Sequence, residues 1–145
     1  MGFNLSIGEL GGLIEYGGDQ PIYRPWVARL DGAELGAPLD PRGYGEHKNI
    51  NWPSYSAWRQ FCRTMGGAFH DMMYGELMAS GHCGHNDWGY TILRDEHLAI
   101  AEKARKRYLC ATIRGVDWNQ VRIDWFVWWV RWSLENCTVP VFVWS

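Results

Sequence analysis

The stretch 117-DWNQVRIDWFVWWVRWSLENC-137 decides the fold. Asp117 is a good helix N-cap, and Gln120 three residues on predicts a capping box. At about 100° per residue, Trp118, Val121, Trp125, Trp128, Trp129 and Trp132 fall on one face. Ile123, Phe126, Val127, Val130, Leu134 and Cys137 cover a second. Gln120, Asp124, Arg131 and Glu135 share a narrow polar strip, while Arg122 and Ser133 sit between the two apolar faces. A helix apolar nearly all round belongs in a core. Arg122, Asp124 and Arg131 interrupt the run of about 20 apolar residues that a membrane span needs. Val139 to Trp144 then reads as a final strand, so truncation of the C-terminus should be destructive.

The segments upstream supply what this helix packs against. Phe3 to Leu10 alternates apolar and polar, and Leu13 to Tyr16 reads as a second strand after Gly11-Gly12. Ile22 to Leu30 reads as a third, confined to an edge by Pro25. Asp31 to Asn51 is rich in Gly, Pro and Asp, the composition of a flap or ligand loop. Ser54 starts a helix with Tyr55, Trp58, Phe61, Cys62 and Met65 on one face, ending at Gly66-Gly67. A shorter helix lies within Ala68 to Ser80. Gly81 to Gly89 is a second irregular loop. Asp95 caps a helix through Leu109 with Leu98, Ala101, Ala104 and Tyr108 inward and a basic run from Lys103 to Arg107 outward. Strands, a loop, three to four helices and a closing strand make a single α+β domain of 145 residues.

Bulk composition narrows the function classes. A net charge of −2 argues against gripping duplex nucleic acid, which needs a basic surplus. Hydrophobic content of 47% with 21% charged residues is that of a globular chain. The start of the chain has neither the basic nor the apolar region of a secretion signal. The four cysteines, Cys62, Cys83, Cys110 and Cys137, form no Cys-x-x-Cys pair, so reduced thiols in a cytosol are expected. A membrane partner is not expected, and self-association into a homo-oligomer stays open.

No catalytic signature is present: no Gly-x-Ser-x-Gly, no Walker motif, no dinucleotide glycine pattern. The sharpest cluster is His82-Cys83-Gly84-His85 with Asp87. His82 and His85 are weak metal candidates that would need further ligands such as Cys62, His47 or His70, and a Gly-rich turn is the simpler account of them. Neither a metal nor another cofactor is therefore expected. Arg122, lodged between apolar faces, must either pair with Asp117 or Glu135 or bind an anion from a pocket.

Ten tryptophans are the extreme number in the composition. Those of the last helix should be core. Trp52, Trp58 and Trp88, with Tyr44 and Tyr55, lie at loop edges and element starts and can stack a flat ring. Together with His47, Arg59 and Arg122 they make the expected ligand-binding set, with Arg94 as a further phosphate contact. The expected function is non-enzymatic sequestration of a small nucleotide-derived ligand. The alternatives are a small hydrolase or lyase using the His82/His85 loop, and a protein-binding inhibitor.

The segments 51-NWPSYSAWRQFC-62 and 128-WWVRWSLENC-137 resemble stretches of small uncharacterised proteins of phages and bacteria. The Gly81–Gly89 loop departs from that group's pattern. The resemblance implies a stand-alone accessory protein, phage-borne and acting in the host cytosol. By analogy with phage sponges that sequester immune signalling nucleotides, it implies a counter-defence role.

Overall fold

The computed structural model describes residues 3–16, 22–79, 89–109 and 117–145. Strand β1 (Leu5–Tyr16) is the longest, and its two halves have different partners. The first half pairs antiparallel with β5 (Pro140–Trp144) on one side and with the two-residue β3 (Ile50–Asn51) at Leu5 and Ser6. Its second half pairs with β2 (Ile22–Val27). The register shifts between Leu10 and Leu13. The expected break at Gly11-Gly12 is therefore an irregularity inside one strand, the usual meaning of glycine in a strand interior. A Cβ on Gly11 would come within 2.6 Å of the Trp26 ring, so the missing side chain is what admits that indole.

β4 (Gly89–Ile92) completes the order β2-β1-β5-β4. The final strand is therefore interior to the sheet, and β2, which carries Pro25, is an edge as the proline predicts. Burial follows from position: Val141, Phe142, Val143 and Trp144 are all buried, whereas Ile92 on β4 is exposed.

The helices cover the sheet. α1 (Tyr55–Met65) is capped by Ser54, whose hydroxyl accepts from the Ala57 N–H at 3.2 Å. It buries Trp58, Phe61, Cys62 and Met65 as the spacing predicts, but leaves Tyr55 exposed in its first turn. α2 (Gly67–Met72) runs into a π-helical turn (Met73–Leu77). α3 (Asp95–Leu109) lies antiparallel to α4 (Trp118–Asn136), tied by the ion pairs Arg105–Asp124 at 2.6 Å and Arg131–Glu102 at 2.7 Å.

α4 is the central strut. Ile123, Trp125, Phe126, Val127, Trp129, Val130 and Ser133 are buried. Edge-on and tilted aromatic contacts run from Trp58 through Phe61, Phe69 and Phe126 to Phe142, joining α1, α2, α4 and β5 into one core. Two details of the sequence reading change. Trp118, at the first turn of α4, is exposed beside Gly43. The capping box is half made: the Asp117 carboxylate accepts from the Asn119 and Gln120 N–H groups, but the Gln120 amide turns forward to Asp124 at 2.8 Å. Among the described residues, no helix is long and apolar enough to cross a membrane.

The stretch from Asp31 to Asn51 is irregular but fastened along its length. Gly32 N–H donates to the His47 carbonyl, and the buried Asn49 amide donates to Ile7 and Ala28 carbonyls while accepting from Leu30 N–H. The Trp125 indole N–H donates to the Lys48 carbonyl at 2.9 Å, pinning the segment to α4. Ala37 enters the core. Fastened by these bonds, this segment is a packed lobe and not a free flap.

Candidate functional site

The expected ligand-binding residues do not converge. Trp58 is wholly inside the core, its indole N–H donating to Met78 Sδ at 3.0 Å, so it offers no face to a ligand. Tyr55 packs edge-on against Phe3, ring centres 4.2 Å apart. The His47 Nδ1 lies 2.7 Å from the Ala37 carbonyl and serves loop closure. Arg59 lies 5.7 Å over the Tyr74 ring. Arg94 pairs with Glu76 at 3.0 Å. Trp88, His82, His85 and Cys83 lie outside the described residues.

Tyr44 and Trp52 do come together, through a residue the sequence reading passed over. The Arg42 guanidinium donates to both carboxylate oxygens of Asp40, at 3.0 and 2.9 Å, and to Glu46 at 3.3 Å. It lies 5.4 Å from the Tyr44 ring centre and 5.0 Å from that of Trp52, with Arg29 also over Trp52 at 5.9 Å. The Asp40 and Arg42 side chains are only 0% and 5% exposed, so this stack is a buried ion pair roofed by two aromatic rings. Asp40 raises the affinity of Arg42 for its proton further. Asp40 and Glu46 neutralise this arginine, so the stack presents no unmatched positive charge to an anion.

Arg122 takes neither expected ion pair. The Asp117 carboxylate is occupied by the two helix N–H groups and by the Tyr108 hydroxyl. Arg122 has one long hydrogen bond to Asn119 at 3.4 Å, and its buried Nε has no partner among the described residues. Burial lowers its pKa, against the opposing field of Asp117.

A basic-rimmed cleft lies elsewhere, at the junction of α1 and α2 facing α3. A cavity of about 300 Å³ is lined by Met65, Ala68, Phe69, Ile100 and Ala104, with Gly66, Gly67, Lys103 and Arg107 completing it. A second depression of about 220 Å³ is lined by Arg63, Gly66, Gly67 and His70. The two share the glycine pair, so they are lobes of one cleft. The local sequence explains the geometry. Gly66 ends α1 at φ 105°, a backbone region that side-chain-bearing residues rarely adopt, and α2 starts immediately after it. A Cβ at Gly66 would lie 2.1 Å from an Arg107 guanidinium nitrogen. Arg107 reaches across because its Nη2 donates to the Met65 carbonyl, one of the unpaired acceptors at the end of α1.

Every ionisable residue lining the two lobes is basic, and neither lobe is lined by a carboxylate, hydroxyl or thiol. Arg63 and Lys103 have no ion pair among the described residues; His70 has only its neighbour Asp71, at 3.7 Å. A third cavity, of about 240 Å³ beside Trp128, differs in kind: its Arg105 and Asp124 neutralise each other.

Lys103 and Arg107 are exposed, as expected of the outward basic run, and they also line the cleft. The signal that identifies them is the set Ile100, Lys103, Ala104 and Arg107 at i, i+3, i+4 and i+7. That spacing puts two cations on the stripe carrying Ala104, opposite a Gly-Gly helix junction. Arg59 is one helical turn from Arg63, the cation that does line the cleft. Among the described residues, no group of three or more His, Cys, Asp or Glu side chains gathers to hold a metal ion. Burial holds the Cys62 thiol far above its ordinary range, which makes it an inert core group. Comparison with protein-family models, with curated proteins and with solved structures finds no match to this chain.

Proposed function

We propose that the chain binds and holds a small nucleotide-like anion in the cleft between the α1–α2 junction and α3. The observation that carries this reading is the pairing of an apolar lobe (Met65, Ala68, Phe69, Ile100, Ala104) with an exclusively basic rim (Arg63, His70, Lys103, Arg107). Ligand sites are mostly apolar with a few placed polar groups, and their volumes start at roughly 300 Å³. The larger lobe is at that lower end, which suits a mononucleotide-sized body better than a cyclic dinucleotide. A flat ring enters the apolar lobe, and phosphate oxygens meet the guanidinium and ammonium groups at its mouth. A lining without a carboxylate, hydroxyl or thiol supports sequestration over turnover.

Titration calorimetry with AMP tests this. Saturable binding is expected, with adenosine at least tenfold weaker and AMP recovered chemically intact. At 100 times Kd, mass action should stabilise the fold by about 2.7 kcal/mol. Lys103→Glu should weaken AMP at least tenfold with little change in Tm, because Lys103 is exposed. No heat and no thermal shift with millimolar AMP would sink the reading.

A further inference from the structure

The two lobes meet at Gly66 and Gly67, and each carries two basic groups: Lys103 and Arg107 in one, Arg63 and His70 in the other. The glycine pair forms a saddle between them: nothing lies within 4 Å of where a Cβ on Gly67 would sit, while at Gly66 that space is taken by the Arg107 guanidinium, so a ligand crossing there lies against the Gly67 backbone and Arg107 itself. Arg107 is oriented by its bond to the Met65 carbonyl, made through one nitrogen only. A guanidinium carries five N–H donors, so a bidentate grip on an oxyanion remains open to it. One phosphate seated at Lys103 and Arg107 neutralises that pair and leaves Arg63 unmatched across the saddle, with His70 beside it. Two linked phosphates match both.

Resting on the binding reading above, we infer that the cleft is a diphosphate site. The organic body fills the lobe floored by Met65, Phe69 and Ala104. The first phosphate binds Lys103 and Arg107, and the second crosses Gly66-Gly67 to Arg63 and His70. Arg63 is therefore the residue that selects a diphosphate over a monophosphate.

The test uses the full chain in EDTA, so that no divalent cation masks phosphate charge, with ADP, AMP and inorganic pyrophosphate as probes. ADP is expected to bind at least tenfold more tightly than AMP, and pyrophosphate to compete with ADP. Arg63→Glu should bring ADP down to the AMP level, costing ADP at least tenfold more than it costs AMP, whereas Lys103→Glu weakens both alike. Arg63→Gln, which keeps a helix-compatible neutral side chain, should show the same selective loss in smaller measure and serves if the charge reversal fails to fold. ADP binding no better than AMP, or Arg63 variants that weaken the two equally, would overturn the diphosphate assignment while leaving the monophosphate reading intact. Pyrophosphate bound with AMP silent would overturn the nucleotide body and keep the diphosphate. Silence from all three probes would overturn both.

Discussion

Single positions carry much of the specificity of this fold, and two of them make sharp predictions. Gly66 combines φ 105° with the approach of Arg107, so Gly66→Ala both strains the backbone and displaces the guanidinium from the Met65 carbonyl. With ψ at 169°, Gly66 lies in an essentially glycine-only region, so a loss of about 1–3 kcal/mol is expected from the backbone term alone, read as a lower urea midpoint at unchanged m, together with weaker AMP binding. Asp40 is the second. Its carboxylate accepts from the Arg42 side chain and from the backbone N–H groups of Arg42 and Lys48, and its side chain is fully buried. Asp40→Ala leaves Arg42 with only the part-exposed Glu46 at 3.3 Å and takes the acceptor from the Arg42 and Lys48 N–H groups, which should cost about 3 kcal/mol. Arg122→Met is the informative contrast: burial already disfavours that cation, and no carboxylate bonds to it. Stability should be unchanged or higher by about 1 kcal/mol, with AMP affinity untouched; a large loss on chemical denaturation would show that Arg122 has a role the bonds do not reveal.

Elements were legible from sequence where a period or a cap dominates. α3 and α4 span what the spacing predicts, and Ser54 and Asp117 cap α1 and α4. The turn chemistry at Gly11-Gly12 was not, because the same dipeptide serves a turn or an irregularity within a strand, and only the partner strands decide. Of the aromatic residues expected to stack a ligand, Trp58 is buried, for a related reason. Whether Trp58 or Trp52 meets solvent depends on what α1 packs against, and local sequence does not contain that. α3 also holds a titrating group that its sequence hides. His97 Nδ1 accepts from the Arg94 N–H at 3.0 Å, doing at the start of α3 what a capping-box Gln does elsewhere. Its buried Nε2 lies 3.3 Å from Glu76 in poor hydrogen-bond geometry. Burial holds the imidazole below its ordinary pKa; Arg94 adds to that, while Glu76 and Glu96 oppose it. The unfolded state therefore binds a proton more readily, so stability is full above about pH 6.5 and declines as pH falls toward the folded value. His97→Gln keeps the cap and removes the titration. Urea midpoints between pH 7 and pH 5.5 should fall for the parent protein and stay flatter for the variant; parallel slopes would exclude His97 as the cause.

At the scale of the molecule, the sheet order makes the two ends of the chain interdependent. β5 lies between β1 and β4, Asn4 and Ser145 exchange backbone hydrogen bonds at 2.8 and 2.9 Å, and the Glu9 carboxylate accepts from Thr138 and Val139 N–H groups. Those bonds hold Glu9 below its ordinary pKa, and the carboxylate is exposed, so the contribution is present at neutral pH and is lost on acidification through the folded value. The larger effect is topological. Removing residues 140–145 takes Val141, Phe142 and Trp144 out of the core, exposes the facing edges of β1 and β4, and leaves β4 with no partner in the described sheet. Each lost buried side chain is worth about 1.5–3 kcal/mol of burial alone. The summed loss approaches or exceeds the roughly 5–15 kcal/mol by which domains are stable. Because β1 cannot complete its pairing until β5 arrives, the contacts that close the sheet are among the most distant in sequence, and stability should vanish as a whole instead of in parts. The 140–145 deletion should therefore give an aggregated or unfolded product, with the emission of its nine remaining tryptophans shifted to that of the solvated indole. A cooperative thermal transition in the deletion variant, with near-native tryptophan emission, would mean that α4 and the remaining strands hold the core without their central strand.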